Sequence, residues 1–352
     1  MAREKTERGP LIRDIAAAAG VSVTTASNVL SERRQVNSES GRRVLEVAQQ
    51  MGYVRPKKQF QGKKRIHYII YRKHGKVVMD TPFFFELLSG IEQACRERKY
   101  ELYTTYLNMA DASDPLERIN AVMYEKDVAV LLLATEMNEA DLQPFLHISA
   151  PLVIIDSHFE DVPVNQVVMD NVRAGRLAVQ HLLEKGHTRI GYIGSSVDFN
   201  NMRDRFNGFQ HEMQLAKLPL RPEDIILVEP TMEGAFSDLK RQIRSRKQSL
   251  PTAFFAANDI LALSASRAFK SASLRLPGDV SIVGMDDIPM CQIVNPELST
   301  ISVPKRDIGM AAVNRLIDVA ERGEGATIKM FVNVTLVERS SVAMVDALEK
   351  TE

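Results

Sequence analysis

The sequence predicts a small three-helix head, a short linker and an α/β body of two doubly wound parallel-sheet lobes. Three observations lead there. Residues 12–30 hold two short helical patterns separated by one glycine turn, and from Ile66 apolar runs of strand length alternate with helical stretches. The same alternation restarts after Asp170, as two successive β–α series require.

The 352 residues suit two or three domains. Hydrophobic residues make up 45%, enough for large cores, and the 26% charged residues keep the surface hydrated. No apolar run reaches the roughly 18 residues that span a bilayer, and residues 1–8 lack the apolar stretch of a signal peptide. A cytoplasmic protein without membrane contact is therefore expected. Cys95 and Cys291 stand far apart, belong to no Cys-x-x-Cys pair and read as core thiols. The motifs of serine hydrolases, zinc proteases, dinucleotide sites and phosphate loops are all missing, so no catalysis, cofactor or metal is expected.

The net charge of zero hides an asymmetry. Residues 1–65 hold 14 Lys and Arg against 6 Asp and Glu, which leaves 31 against 39 in the rest. A basic head gains from phosphate contacts and counterion release; an acidic body is repelled by the same polyanion.

In the head, residues 1–56, Ile12, Ile15, Ala16 and Ala19 recur at helical spacing up to Gly20, which can take the left-handed backbone that stops a helix. Ser22 can cap the next helix, Val23 to about Leu30, with Ala26, Val29 and Leu30 inward. Its outer face is short and polar. A third helix over 38–51 carries an apolar stripe of Val44, Val47, Ala48 and Met51.

Ile12-Arg-Asp-Ile-Ala, Ala19-Gly-Val-Ser, Thr25-Ala-Ser-Asn-Val-Leu, Arg42-Arg-Val-Leu and Met51-Gly-Tyr, in order and without gaps, resemble the head of the lactose-repressor (LacI/GalR) family of bacterial transcription regulators. The resemblance implies base reading by Val23, Thr24 and Asn28. Their chemistry suits that role, since Val can touch a thymine methyl, Thr can bond either kind of edge, and Asn can pair bidentately with adenine. Many relatives carry Arg where this chain has Asn28, so A·T-containing steps are expected over guanine. By the same resemblance Ser22, Thr25, Ser27, Asn37 and Tyr53 contact the DNA backbone.

The linker, residues 57–65, is basic. Relatives usually place a wedge helix rich in Ala and Leu here, which kinks the operator from the minor groove. Either Phe60 takes the wedge role, or intercalation is absent and Lys57, Lys58 and their neighbours only hold phosphates; the second is preferred.

In the body, residues 66–342, strands are expected at 66–71, 100–106, 128–133 and 152–155, with helices at 83–98, 115–124 and 140–146. After Asp170 come helices 171–186, 203–216, 233–246 and 258–273 and strands 189–193, 224–228, 252–256 and 280–284. Helix 305–322 should cross back and one strand, 328–337, should end in the second lobe. Lobe one then comprises about 66–169 and 304–327, lobe two about 170–303 and 328–342, with 343–352 a tail.

Ligands of such sheets bind beyond the carboxyl ends of the strands. There the body resembles the family's periplasmic-binding-protein-like core, which implies an effector cleft built from Asp156, Arg205, Asn258 and Asp286, with Phe84 a further candidate. Carboxylate, amide and guanidinium together suit a polyhydroxylated ligand. Asp259 and Asp287 read equally as caps. The loop from Tyr71 is longer than usual, so Arg72, Lys73, His74 and Lys76 could meet an anionic group or simply be solvated.

The implied function is a repressor whose affinity for a palindromic double-stranded operator is controlled by a small effector, a sugar or sugar acid being favoured, acting as a homodimer. A purine-type corepressor is the alternative effector. A solute-binding protein is the alternative class, and the basic head argues against it.

Overall fold

The head builds from its turn. Helix α1 (Ile12–Ala19) stops at Gly20, whose φ of 66° is left-handed. Helix α2 (Val23–Leu30) starts where Ser22 Oγ accepts the Thr25 N–H at 3.0 Å. With α3 (Glu39–Gln50) it closes a core of Ile15, Ala16, Ala19, Ala26, Val29, Leu30, Val44 and Ala48. Met51 departs from the expected stripe: it lies one residue past α3 and is 36% exposed.

The structure is a computed structural model that describes residues 11–30, 39–51, 53, 64–77, 82–109, 128–148, 150–246, 249–323 and 325–345. The chain divides into two compact units, Met1–Lys58 and Gln59–Glu352. The expected helix 115–124, Asn37, Phe60, Lys57 and Lys58 lie outside the described residues.

Lobe one begins with β1 (Arg65–Arg72), α4 (Phe83–Arg98), β2 (Glu101–Asn108), β3 (Val128–Leu133), α5 (Glu139–Leu146), β4 (Leu152–Ile155) and β5 (Asn165–Met169). Lobe two follows as α6 (Asn171–Glu184), β6 (Ile190–Ser195), α7 (Asn200–Leu215), β7 (Ile225–Val228), α8 (Met232–Arg246), β8 (Ala253–Ala256), α9 (Asp259–Ser271), β9 (Ser281–Asp286) and β10 (Ser299–Ser302). The chain then returns through α10 (Lys305–Arg322) and β11 (Lys329–Val332) to lobe one, and ends with β12 (Thr335–Val337) on lobe two. The sheet orders are β11-β5-β4-β3-β1-β2 and β12-β10-β9-β8-β6-β7. All their pairings are parallel except β10 with β12.

One expected strand is thus two. Lys329–Val332 adds to lobe one beside β5, and only Thr335–Val337 joins lobe two, so the last crossing falls at 333–334 rather than before 328. Strands β5 and β10 are additions to the expected set. Both are buried but polar at the sequence level, and their polar groups find internal partners: Thr300 Oγ1 donates to Asp259 Oδ1 at 2.7 Å, and Ser341 Oγ accepts the Ser299 N–H at 2.8 Å.

Each lobe is braced by a close helix crossing made at glycine. A Cβ on Gly208 of α7 would lie 2.0 Å from Val172 O, and one on Gly175 of α6 would lie 2.1 Å from Arg205 O. In lobe one a Cβ on Gly90 of α4 would lie 2.1 Å from Arg306 O on α10. Gly208→Ala must therefore push α6 from α7, at a cost of about 1–3 kcal/mol. A lowered melting temperature in calorimetry is the expected result, and an unchanged melt contradicts the crossing geometry.

Candidate functional site

The strand ends of both lobes converge on one cleft. Asp156 follows β4, Asn258 follows β8 and caps α9 by accepting the Leu261 N–H at 2.9 Å, and Asp286 ends β9. Arg205 reaches the same space from α7. Val77, Phe83, Phe84, Thr135, Met169, Phe199, Asn201 and Met202 complete the lining of a cavity of about 410 Å³, its open mouth included.

Arg205 is 4% exposed and each of its three nitrogens has a partner within the protein. Nε donates to Asn171 Oδ1 at 2.8 Å and Nη1 to Ala257 O at 2.6 Å, while Nη2 lies 3.7 Å from Asp286 Oδ1. Asp156 Oδ2 accepts the Thr135 hydroxyl at 2.6 Å. Asp156 Oδ1 and Asp286 Oδ1 are buried with no hydrogen-bond partner among the described residues. An unmet buried acceptor is costly, so these two oxygens mark where a donor-rich ligand is wanted.

Burial raises the Asp156 carboxyl to about 7, against the opposing Thr135 hydrogen bond and Arg205 charge. Burial likewise raises Asp286 to about 6, against Arg205 and Lys305. Asp259, raised by burial to about 7, faces inward instead: it accepts from Thr300, from the Ile288 N–H at 3.0 Å and from Cys291 Sγ at 3.1 Å. Asp287 pairs with Arg339 at 2.6 Å. Both are structural.

The long loop corrects an expectation. Arg72 is not among the described residues that line the cleft; its guanidinium stands 4.0 Å over the Tyr106 ring. Register explains this, because β1 ends beside β2 and Arg72 finds an aromatic face there. Lys73 pairs with Asp141 at 2.7 Å and Lys76 with Glu229 at 3.2 Å. The loop backbone is clasped by Glu136, whose side chain is fully buried. Its Oε2 accepts the N–H groups of Lys73, His74 and Gly75 at 2.8, 3.0 and 2.9 Å, and its Oε1 accepts that of Val77 at 3.1 Å.

Sequence reasoning missed Asn201, Lys305, Thr135 and Glu136. The last two follow β3 directly, so the strand-end rule applied to that strand would have found them. The signal at Lys305 is a cation in the first turn of a helix, where the dipole disfavours it.

In the head, Val23 is 53% exposed, and Ser22 and Thr24 are exposed beside it. Thr25 and Ser27 are half-buried, and Thr25 Oγ1 shares a 2.8 Å hydrogen bond with Ser22 Oγ, so both residues of that pair also serve the cap. Tyr53 packs against the head core. Asn28 lies on α2. Among the described residues no helix is long and apolar enough to cross a membrane.

A helix-turn-helix unit followed by a two-lobed ligand-binding core defines a class, the DNA-binding regulator with a built-in effector domain. The family model for bacterial regulatory proteins, lacI family, matches residues 11–56, and that for the periplasmic binding protein-like domain matches residues 179–342. The chain belongs to the lacI family of transcriptional regulators.

Among relatives, the HTH-type transcriptional repressor PurR of Actinobacillus pleuropneumoniae serotype 3 is 30% identical over 312 residues, covering 87% of this chain and 90% of that protein. The ribose operon repressor of Haemophilus influenzae is 28% identical over 336 residues, covering 94% of this chain and 98% of that one. Among solved structures, the transcriptional regulator CelR–cellobiose complex superposes with a TM-score of 0.73 at 23% identity, covering 94% of this chain and 99% of that one. The lac repressor dimer bound to operator and the anti-inducer ONPF gives 0.71 at 18% identity, covering 96% and 100%. These two likenesses establish the fold.

Proposed function

We propose that this regulator is a repressor that binds a palindromic operator as a homodimer and is controlled by a neutral sugar in the cleft. The observation that carries the effector reading is the pair of buried carboxylate oxygens on Asp156 and Asp286, one on each lobe, that have no hydrogen-bond partner among the described residues. Sugar hydroxyls donate to such oxygens and accept from the Asn258 amide, while Phe83 and Phe84 offer apolar faces to the ring. An anionic ligand would meet two carboxylates in the same cleft. The basic loop, which favoured a sugar acid, has Lys73 and Lys76 engaged by acidic partners.

The DNA reading rests on the exposed Ser22, Val23 and Thr24 at the start of α2, with Asn28, Thr25, Ser27 and Tyr53 in the roles that the family resemblance implies.

The test has two arms. A duplex selected from a random pool should bind with an affinity that falls linearly in log–log terms with salt; a flat response refutes phosphate contacts. A thermal-shift panel of neutral sugars, sugar acids and purines should raise the melting temperature with a neutral sugar. A shift given only by a purine or only by a sugar acid replaces the effector reading.

A further inference from the structure

The two cleft aspartates occupy equivalent places in the two lobes and are held in the same way. Asp156 at the end of β4 has a φ of 68° and Asp286 at the end of β9 a φ of 115°, with Asp287 at 52°. Side chains other than glycine avoid this backbone region, so the conformations persist only where neighbours impose them.

Each turn is held within its own lobe, by Thr135 on Asp156 and by Arg339 on Asp287, and in both cases a further donor reaches its carbonyl from the opposite lobe. Asn201 Nδ2, on α7 of lobe two, donates to Asp156 O at 2.7 Å. Lys305 Nζ, on α10 of lobe one, donates to Asp286 O at 2.7 Å and to Asp287 O at 3.3 Å. Both donors are buried, Asn201 to 6% and Lys305 to 4% exposure. The Lys305 ammonium also lies 3.6 Å from Glu86 Oε1 on α4, which anchors it to lobe one. Helix formation gives a lysine no reason to open α10; the two carbonyls across the cleft do.

We infer that Lys305 is a positioning residue that holds Asp286 in its cleft-facing conformation only while the lobes stand in this arrangement, and that Asn201 does the same for Asp156. When the lobes separate, the donor leaves with its own lobe and the positive-φ turn relaxes. Each lobe's ligand-facing carboxylate is therefore conditional on the other lobe. Given the effector reading above, a sugar that contacts both carboxylates selects the arrangement in which both tethers are made.

The test needs no ligand. Spin labels are placed on Glu139→Cys and Ser237→Cys, exposed positions on lobe one and lobe two, in the full-length chain, whose own two cysteines are buried. Inter-label distances are measured by pulsed electron paramagnetic resonance alongside amide exchange by mass spectrometry. Lys305→Met should move the distance distribution to longer values and speed exchange over residues 284–288 by about tenfold, the scale of a typical coupling. Lys305→Arg, which keeps a donor, should restore both. Asn201→Ala should give the same distance change with faster exchange over 155–158. A folded Lys305→Met with wild-type distances and exchange overturns the inference, as does a lowered melting temperature without any change in distance. Where Lys305→Met fails to fold, Asn201→Ala decides through the mirror tether. Failure of every panel sugar to bind overturns the effector reading alone and leaves this test standing.

Discussion

Arg205→Ala should lower stability by about 3–5 kcal/mol and abolish any response of operator binding to sugar. The size follows from what is left behind. The guanidinium is 4% exposed and is the charge nearest Asp286, while it also holds Asn171 and the Ala257 carbonyl. Deleting it leaves Asp286 with only Lys305 and Asp156 with no nearby cation among the described residues to offset its burial, and leaves two acceptors unmet. Denaturant unfolding measures the first effect and a sugar titration of the protein–duplex complex the second. Arg205→Lys should recover part of the stability but little of the response, because an ammonium cannot reproduce the forked geometry. A wild-type dose response in Arg205→Ala would remove Arg205 from the effector site.

Asp156→Asn should do the opposite to stability. Burial raises this carboxyl from 3.8 to about 7, so the folded chain binds the proton more tightly than the unfolded chain. Its contribution is therefore favourable below the unfolded value and is lost as pH rises through the folded one. The asparagine variant, with no charge to desolvate, should be more stable than wild type at pH 8 by on the order of 2 kcal/mol, and the gap should close toward pH 4. Sugar binding should weaken at the same time, the usual exchange of stability against function at a strained site. Unfolding free energies at a series of pH values check the slope. A gap that is constant with pH, or a destabilised variant at pH 8, contradicts a buried ionised Asp156. His187, lowered by burial to about 4, tilts the wild-type curve the other way below about pH 6.5, so the variant and wild type must be compared at each pH.

How far the sequence reveals this molecule depends on where each contact is made. Val128–Leu133 forms a strand with the bounds read from its apolar run, because a strand buried on both faces needs nothing else. Asn165–Met169 is equally buried, yet its first two residues are amides. The partners of Asn165 lie far along the chain, since its Oδ1 accepts from Arg315 and from the Ile328 N–H, while Gln166 exchanges hydrogen bonds with the Phe159 backbone across the turn before the strand. No local pattern announces such satisfaction. The same distinction runs through the cleft. Asp156, Asn258 and Asp286 are legible because each follows its own strand, whereas Asn201 and Lys305 act on the opposite lobe and acquire meaning only when the lobes meet. Arg72 departs from expectation for a related reason: its position in the chain is adjacent to the cleft, but its ring partner belongs to the neighbouring strand.

The Glu136 clasp bears on how this cleft can change over generations. Because a buried carboxylate fixes the loop through backbone N–H groups, the path of residues 73–77 does not depend on the side chains of Lys73 and Lys76, whereas His74 accepts the Lys76 N–H and Gly75 holds a φ of 66°. Substitutions at Lys73 or Lys76 can then alter charge and bulk at the rim without redrawing the wall beneath. One glutamate conserves the shape, and its neighbours are left open to selection for different ligands.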